Sequence, residues 1–257
     1  MYGPLIDAHI HFDQYSLPAQ ARILEELKRF NIDALISVST NLSSSKKTLD
    51  LASQSPHIYA AAGFHPEQAL PKEQELSELQ QLIFEHQEDL AAIGEVGLPY
   101  YLRKENRDIP LEPYIEVLES FIRQAAALRK PLALHAVYED AAIVCELLEK
   151  HSITKAHFHW FKGSKAIIDR LKHNGYFISV TPDLLYKERT EQLVQMYPLT
   201  HIMVETDGPW PFEGPFQRNM THPKMIHETI RKLAAIKKMK IEEVYSQLYE
   251  NTKRFYL

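Results

Sequence analysis

Residues 4–11, Pro4-Leu5-Ile6-Asp7-Ala8-His9-Ile10-His11, run almost continuously apolar and end in two histidines. A short apolar run of this kind suits a strand buried on both faces of a parallel sheet, with 4–9 as its span. Strand side chains alternate, so His9 and His11 project from one side at the strand's C-terminal end, where they can grip one ion. Seven more runs of this type follow, at 33–38, 58–63, 91–94, 131–135, 155–159, 176–180 and 201–205. Helical periodicity fills the gaps. In 17–30, Leu17, Ile23, Leu24, Leu27 and Phe30 share a face opposite Glu25, Glu26 and Lys28. Segments 43–55, 74–88, 113–129, 139–151, 163–174, 188–196 and 222–239 read alike, with 241–250 as an added terminal helix. A doubly wound open sheet fits the local signals equally well. The count of eight favours an α/β fold of the (β/α)8 TIM-barrel type, expected as a single catalytic domain over 1–257.

Composition narrows the class. The hydrophobic fraction of 45% and charged fraction of 25% are those of an ordinary soluble globule. A net charge of −5 gives no general pull toward nucleic acid or anionic membrane, so a polyanion would have to be held locally. No basic segment followed by an apolar run opens the chain, and no apolar stretch approaches the ~20 residues that cross a bilayer. A cytoplasmic protein with no membrane partner is expected, its oligomeric state open. Cys145 lies in a helical pattern with Ala141, Val144, Leu147 and Leu148, where it reads as a small buried hydrophobe. P-loop, dinucleotide, HExxH and GxSxG patterns are absent, which leaves nucleotide hydrolysis by a P-loop, hydride transfer and serine chemistry without support.

Other strand ends carry ligand-type residues: Glu95 after the fourth, His135 at the fifth, His159 at the sixth and Asp207 after the eighth. A barrel brings these ends to one mouth. Four imidazoles and two carboxylates suit Zn, Mn, Co or Fe, and suit Mg less well because it prefers oxygen. Six ligands exceed what one catalytic ion with an open position takes. Two divalent metal ions bridged by a carboxylate fit better, with Glu95 as the bridge.

The segments Asp7-Ala8-His9-Ile10-His11, Gly63-Phe64-His65-Pro66, Gly94-Glu95-Val96-Gly97-Leu98, Leu134-His135, His159-Trp160-Phe161-Lys162-Gly163-Ser164 and Glu205-Thr206-Asp207-Gly208-Pro209 together resemble the TatD family of metal-dependent deoxyribonucleases. The likeness continues through Arg218-Asn219 to Asn251–Phe255. That family is a TIM-barrel branch of the amidohydrolase superfamily. The resemblance implies His9, His11, Glu95, His135, His159 and Asp207 as metal ligands. The chain departs from the family pattern at Pro99, Ala136, Trp160 and Lys162, none of them a ligand. Hydrolytic competence carries over; substrate preference carries over less directly.

The chemistry expected is hydrolysis by a metal-activated water, with Asp207 orienting that water and carrying its proton. His65 is expected to meet a substrate phosphate or act as an acid. Asp7 is placed to support a ligand from behind, while regular alternation would turn Glu205 to the opposite strand face, where it would back a ligand or support the barrel. His57, His86, His151, His173, His201 and His227 fall at strand starts or on polar helix faces. His157 reads as structural and His222 as a surface or capping residue. Arg218, Lys162, Trp160, Trp210 and Tyr100 supply the cations and aromatic faces of a single-strand nucleic-acid site. The leading expectation is a phosphodiesterase or deoxyribonuclease of the 3′-end exonuclease type, acting on single-stranded DNA ends. A hydrolase of a small-molecule ester, amide or lactone is the alternative, and a partner-binding subunit of a complex the third.

Overall fold

The computed structural model describes residues 3–257. Eight parallel strands follow one another around a single sheet in chain order. They are β1 (Leu5–Ile10), β2 (Ile32–Val38), β3 (Ile58–Ala62), β4 (Leu90–Gly97), β5 (Leu132–His135), β6 (Ala156–Phe158), β7 (Phe177–Val180) and β8 (Ile202–Val204). The helices are α1 (Leu17–Glu26), α2 (Leu42–Gln54), α3 (Glu73–Glu85), α4 (Tyr100–Glu105), α5 (Glu112–Leu128), α6 (Asp140–Lys150), α7 (Lys165–His173), α8 (Glu188–Met196), α9 (Ile226–Lys237) and α10 (Ile241–Tyr256). This is the TIM barrel that the sequence pattern predicts. No described helix is long and apolar enough to cross a membrane.

Local chemistry sets several boundaries. Asn41 caps α2 by accepting from Ser44 N, and Ser164 caps α7 by accepting from Ile167 N. The expected helix 17–30 breaks after Glu26. Lys28–Phe30 tightens into a 3-10 turn, and Asn31 at φ 52° reverses the chain into β2. Residues 97–112, after β4, fold in part as α4, and the terminal helix runs on to Tyr256. Cys145 is fully buried within α6, as its setting suggests.

Two apolar layers form. Alternate strand residues such as Leu5, Leu35, Ile93 and Leu132 pack outward against the helices. Ile6, Ala8, Ala34, Ile36, Ala61, Ala92, Ala133 and Met203 fill the interior, joined there by Phe255 and Tyr256 from the end of α10. Small interior residues leave room for that plug. At Gly97 a Cβ would sit 1.9 Å from the His135 carbonyl oxygen, so only glycine lets β4 approach β5 where both deliver site residues.

The barrel's seam lies between β1 and the segment just after β8. Asp207 N donates to His9 O at 2.9 Å, and His11 N donates to Gly208 O at 2.7 Å. Asp7 adds its carboxylate, accepting from Thr206 N at 3.0 Å and from the Thr206 hydroxyl. Asp7 therefore holds the β8 end in place; it does not back an imidazole.

Candidate metal centre

The seam brings His9, His11 and Asp207 to one side of the mouth, and β4, β5 and β6 bring Glu95, His135 and His159 to the other. Glu95 is fully buried between them. Its two oxygens face different rings. Oε2 lies 3.1 Å from His9 Nε2 and 3.2 Å from His11 Nε2. Oε1 lies 2.9 Å from His135 Nδ1, 2.7 Å from His159 Nε2 and 3.4 Å from His65 Nε2. Asp207 Oδ1 stands 3.5 Å from both His9 Nε2 and His11 Nε2, buried and without a hydrogen-bond donor. The His9 and His159 rings stack at 3.8 Å.

Three overlapping sets, His9–His11–Glu95, His9–His159–Asp207 and His65–Glu95–His135, each bring their donor atoms within 4.8 Å of one another. Lone pairs of nitrogen and oxygen converge there on shared space, and a buried carboxylate oxygen is left without a proton donor. A cation satisfies such a donor set, so the residues fit the metal that their chemistry implies. All six ligand candidates read from the sequence meet here, and His65 joins them. Its Nδ1 accepts from Glu67 N at 3.2 Å, which leaves Nε2 to face the cluster.

Electrostatics follow the crowding. Burial opposes ionisation of Glu95, yet the facing rings of His159, His65 and His9 outweigh it and hold the carboxyl well below its usual range. Burial pushes His9 down, reinforced by neighbouring His159. Burial also opposes protonation of His159, but Glu95 and Glu205 carry it well above the usual histidine value.

Contacts behind the ligands correct and extend the sequence reading. β8 ends at Val204, so the regular alternation that would turn Glu205 away no longer applies. Glu205 points inward instead, 3.5 Å from His159 Nδ1, and accepts from Trp160 N at 2.8 Å. Glu67 escaped the sequence reading. Its carboxylate lies 3.0 Å from His135 Nε2 and accepts from Tyr101 N and Leu102 N at the start of α4. Its one signal was position, two residues after His65. A carboxylate behind a ligand imidazole fixes ring orientation and raises basicity. His157 is structural, bonded to Tyr256 and Ser179. His222 caps a 3-10 turn through Nδ1, but is buried, not on the surface. His227 is buried as well, against Tyr245 and the Phe30 carbonyl, because α9 turns that face toward α10 and not toward solvent.

At the rim, Lys162, Trp160 and Trp210 come together. Lys162 Nζ lies 4.1 Å over the Trp160 ring and donates to the Tyr101 hydroxyl at 2.9 Å. Burial pushes the Lys162 ammonium down to about 8. Trp160 meets Trp210 edge-on at 6.0 Å, and Trp210 is 58% exposed. Tyr100 lies tilted beside Tyr138 at 4.6 Å, while Arg218 is exposed at φ 66° in the segment that follows β8.

A family model described as TatD related DNase matches residues 6–257. The chain belongs to the TatD family. A metal-dependent hydrolase from Haemophilus influenzae is 43% identical, over 98% of this chain and 99% of its own. Human deoxyribonuclease TATDN3 is 27% identical over 98% of this chain and 94% of its own. The crystal structure of YjjV, a TatD homologue from Escherichia coli K12, superposes with a TM-score of 0.87 at 25% identity, covering 98% of this chain and 97% of that one. As a TatD protein the chain is a metal-dependent hydrolase. The departures at Pro99, Ala136, Trp160 and Lys162 leave the convergent donor atoms intact.

Proposed function

We propose that this TatD enzyme is a phosphodiesterase that trims single-stranded DNA from its 3′ end, using two divalent ions that share Glu95. The observation that carries the reading is the division of the Glu95 carboxylate. One oxygen faces His9 and His11, and the other faces His135 and His159. A carboxylate flanked by two nitrogen sets suits the paired-ion clamp that serves in-line displacement at phosphorus. His9, His11, Glu95 and Asp207 would hold one ion; Glu95, His135 and His159 would hold the other. Bound ions supply Lewis acidity and make water available as a nucleophile near neutral pH.

The chain's own groups do the rest. Asp207, whose Oδ1 lacks a donor, orients the attacking water and takes its proton. His65 presents Nε2 toward a phosphate oxygen. Lys162 offers positive charge beside the indole of Trp160, and exposed Trp210 offers a face on which an unstacked base can lie. The human relative's name, deoxyribonuclease, supports the same substrate class.

The test is a screen of metal-supplemented enzyme against end-labelled single-stranded DNA, RNA, simple phosphodiesters, lactones and amides. Stepwise loss of 3′ nucleotides from DNA is the expected result. Turnover confined to lactone or amide, with DNA left intact, overturns the reading in favour of a small-molecule hydrolase.

A further inference from the structure

Beneath the ligand cluster, a single file of polar side chains runs through the barrel interior to the last turn of α10. Glu205 Oε1 faces His159 Nδ1, and Glu205 Oε2 accepts from the Ser179 hydroxyl. Ser179 Oγ lies 2.7 Å from His157 Nε2, and His157 Nδ1 lies 2.6 Å from the Tyr256 hydroxyl. All of these residues are buried.

The donors and acceptors in this file have one consistent direction. An ionised carboxylate only accepts, so Ser179 must donate its proton to Glu205. Ser179 Oγ then accepts from His157 Nε2–H. A neutral imidazole with its proton on Nε2 keeps a lone pair on Nδ1, and the Tyr256 O–H fills it. At the upper end, Glu205 Oε1 accepts from Trp160 N at 2.8 Å and stands 3.5 Å from His159 Nδ1, so the carboxylate holds that side of the ring while Nε2 faces the cluster, 2.7 Å from Glu95 Oε1.

We propose that Tyr256, acting through His157, Ser179 and Glu205, is a positioning residue that fixes the ring of His159 and so couples docking of the C-terminal turn to metal binding. Without the tyrosine hydroxyl, His157 Nδ1 loses its donor and the ring has reason to turn or change tautomer. Ser179 then has two competing acceptors, and the hold on Glu205 and His159 loosens. The sequence gives no hint of this coupling, because His157 and Tyr256 are 99 residues apart.

The test compares metal-free wild type with Tyr256→Phe, Ser179→Ala and Tyr245→Phe. Tyr245→Phe is the control: it also removes a hydroxyl from a buried Tyr–His pair, 2.7 Å from His227, but on the flank between α9 and α10. Zinc affinity is measured by competition with a chromogenic chelator, and the His157 tautomer by 15N shifts of the metal-free proteins. Loss of carboxylate support behind a ligand weakens binding by about 10- to 100-fold, so Ser179→Ala should lose about 10-fold and Tyr256→Phe about 3- to 10-fold. Tyr245→Phe should bind as wild type does. His157 should carry its proton on Nε2 in wild type and show mixed tautomers in Tyr256→Phe. Unchanged affinity and tautomer in Tyr256→Phe overturn the proposal, as does an equal loss in Tyr245→Phe. The affinity readout rests on the metal-centre reading. Wild type that binds no zinc would sink that reading, while the metal-free tautomer would still decide this one.

Discussion

Asp207 occupies a left-handed backbone position at φ 51°, immediately after β8, and its amide is tied to His9 O across the seam. That tie aims Oδ1 at the Nε2 atoms of His9 and His11. Replacing this carboxylate by an amide keeps the shape but removes the proton acceptor. Asp207→Asn should therefore lower kcat by about 10²- to 10⁴-fold, the usual contribution of a positioned acid–base group. Metal content and melting temperature should change little; turnover assays beside metal analysis check both. Wild-type turnover in this variant would remove Asp207 from the mechanism. At this scale the candidate ligands that converge at the mouth were legible in the sequence, since each closes an apolar run within a short motif. Glu67, Ser179 and Tyr256 were not, because their roles arise only when distant segments close around the ligand rings.

The strand and helix pattern was legible because each element is built from local periodicity. The exceptions share a cause: local chemistry or a neighbouring element overrides the period. Asn31 reverses the chain before 17–30 can continue as one helix, and Pro223–Met225 forms a 3-10 turn where 222–239 read as helix throughout. That turn is capped by His222 Nδ1, which accepts from Lys224 N at 3.1 Å and must be unprotonated to do so. Burial, aided by Lys224, pushes His222 down to about 4. A histidine whose folded value is depressed takes up protons more readily when unfolded, so its stabilising contribution is complete above pH 6.5. That contribution is lost as pH falls toward 4. The effect should be on the order of 1–3 kcal/mol. Asn also caps but does not titrate, so His222→Asn should lose less melting temperature than wild type between pH 7 and pH 4.5. Parallel thermal scans at the two pH values check this, and identical pH slopes would contradict it.

Across the whole molecule, the barrel places a charged, crowded centre at one end of its interior and an aromatic plug from α10 beneath it. Five imidazoles around one buried carboxylate repel and desolvate one another unless a cation joins them, so ion binding and folding stability are linked. An ion at about 100 times its dissociation constant adds ~2.7 kcal/mol, which in a chain of this size raises the melting temperature by about 5–10 °C. Scans with excess Mn²⁺ and with chelator should differ by that amount; coincident curves would leave the cluster without a resident ion. The central claim is that Glu95 is shared between two ions, and manganese reconstitution followed by metal analysis and EPR tests it most directly. The account predicts two equivalents per chain with an exchange-coupled signal that disappears in Glu95→Gln. A single equivalent, or two magnetically isolated ions in the wild-type protein, would contradict it.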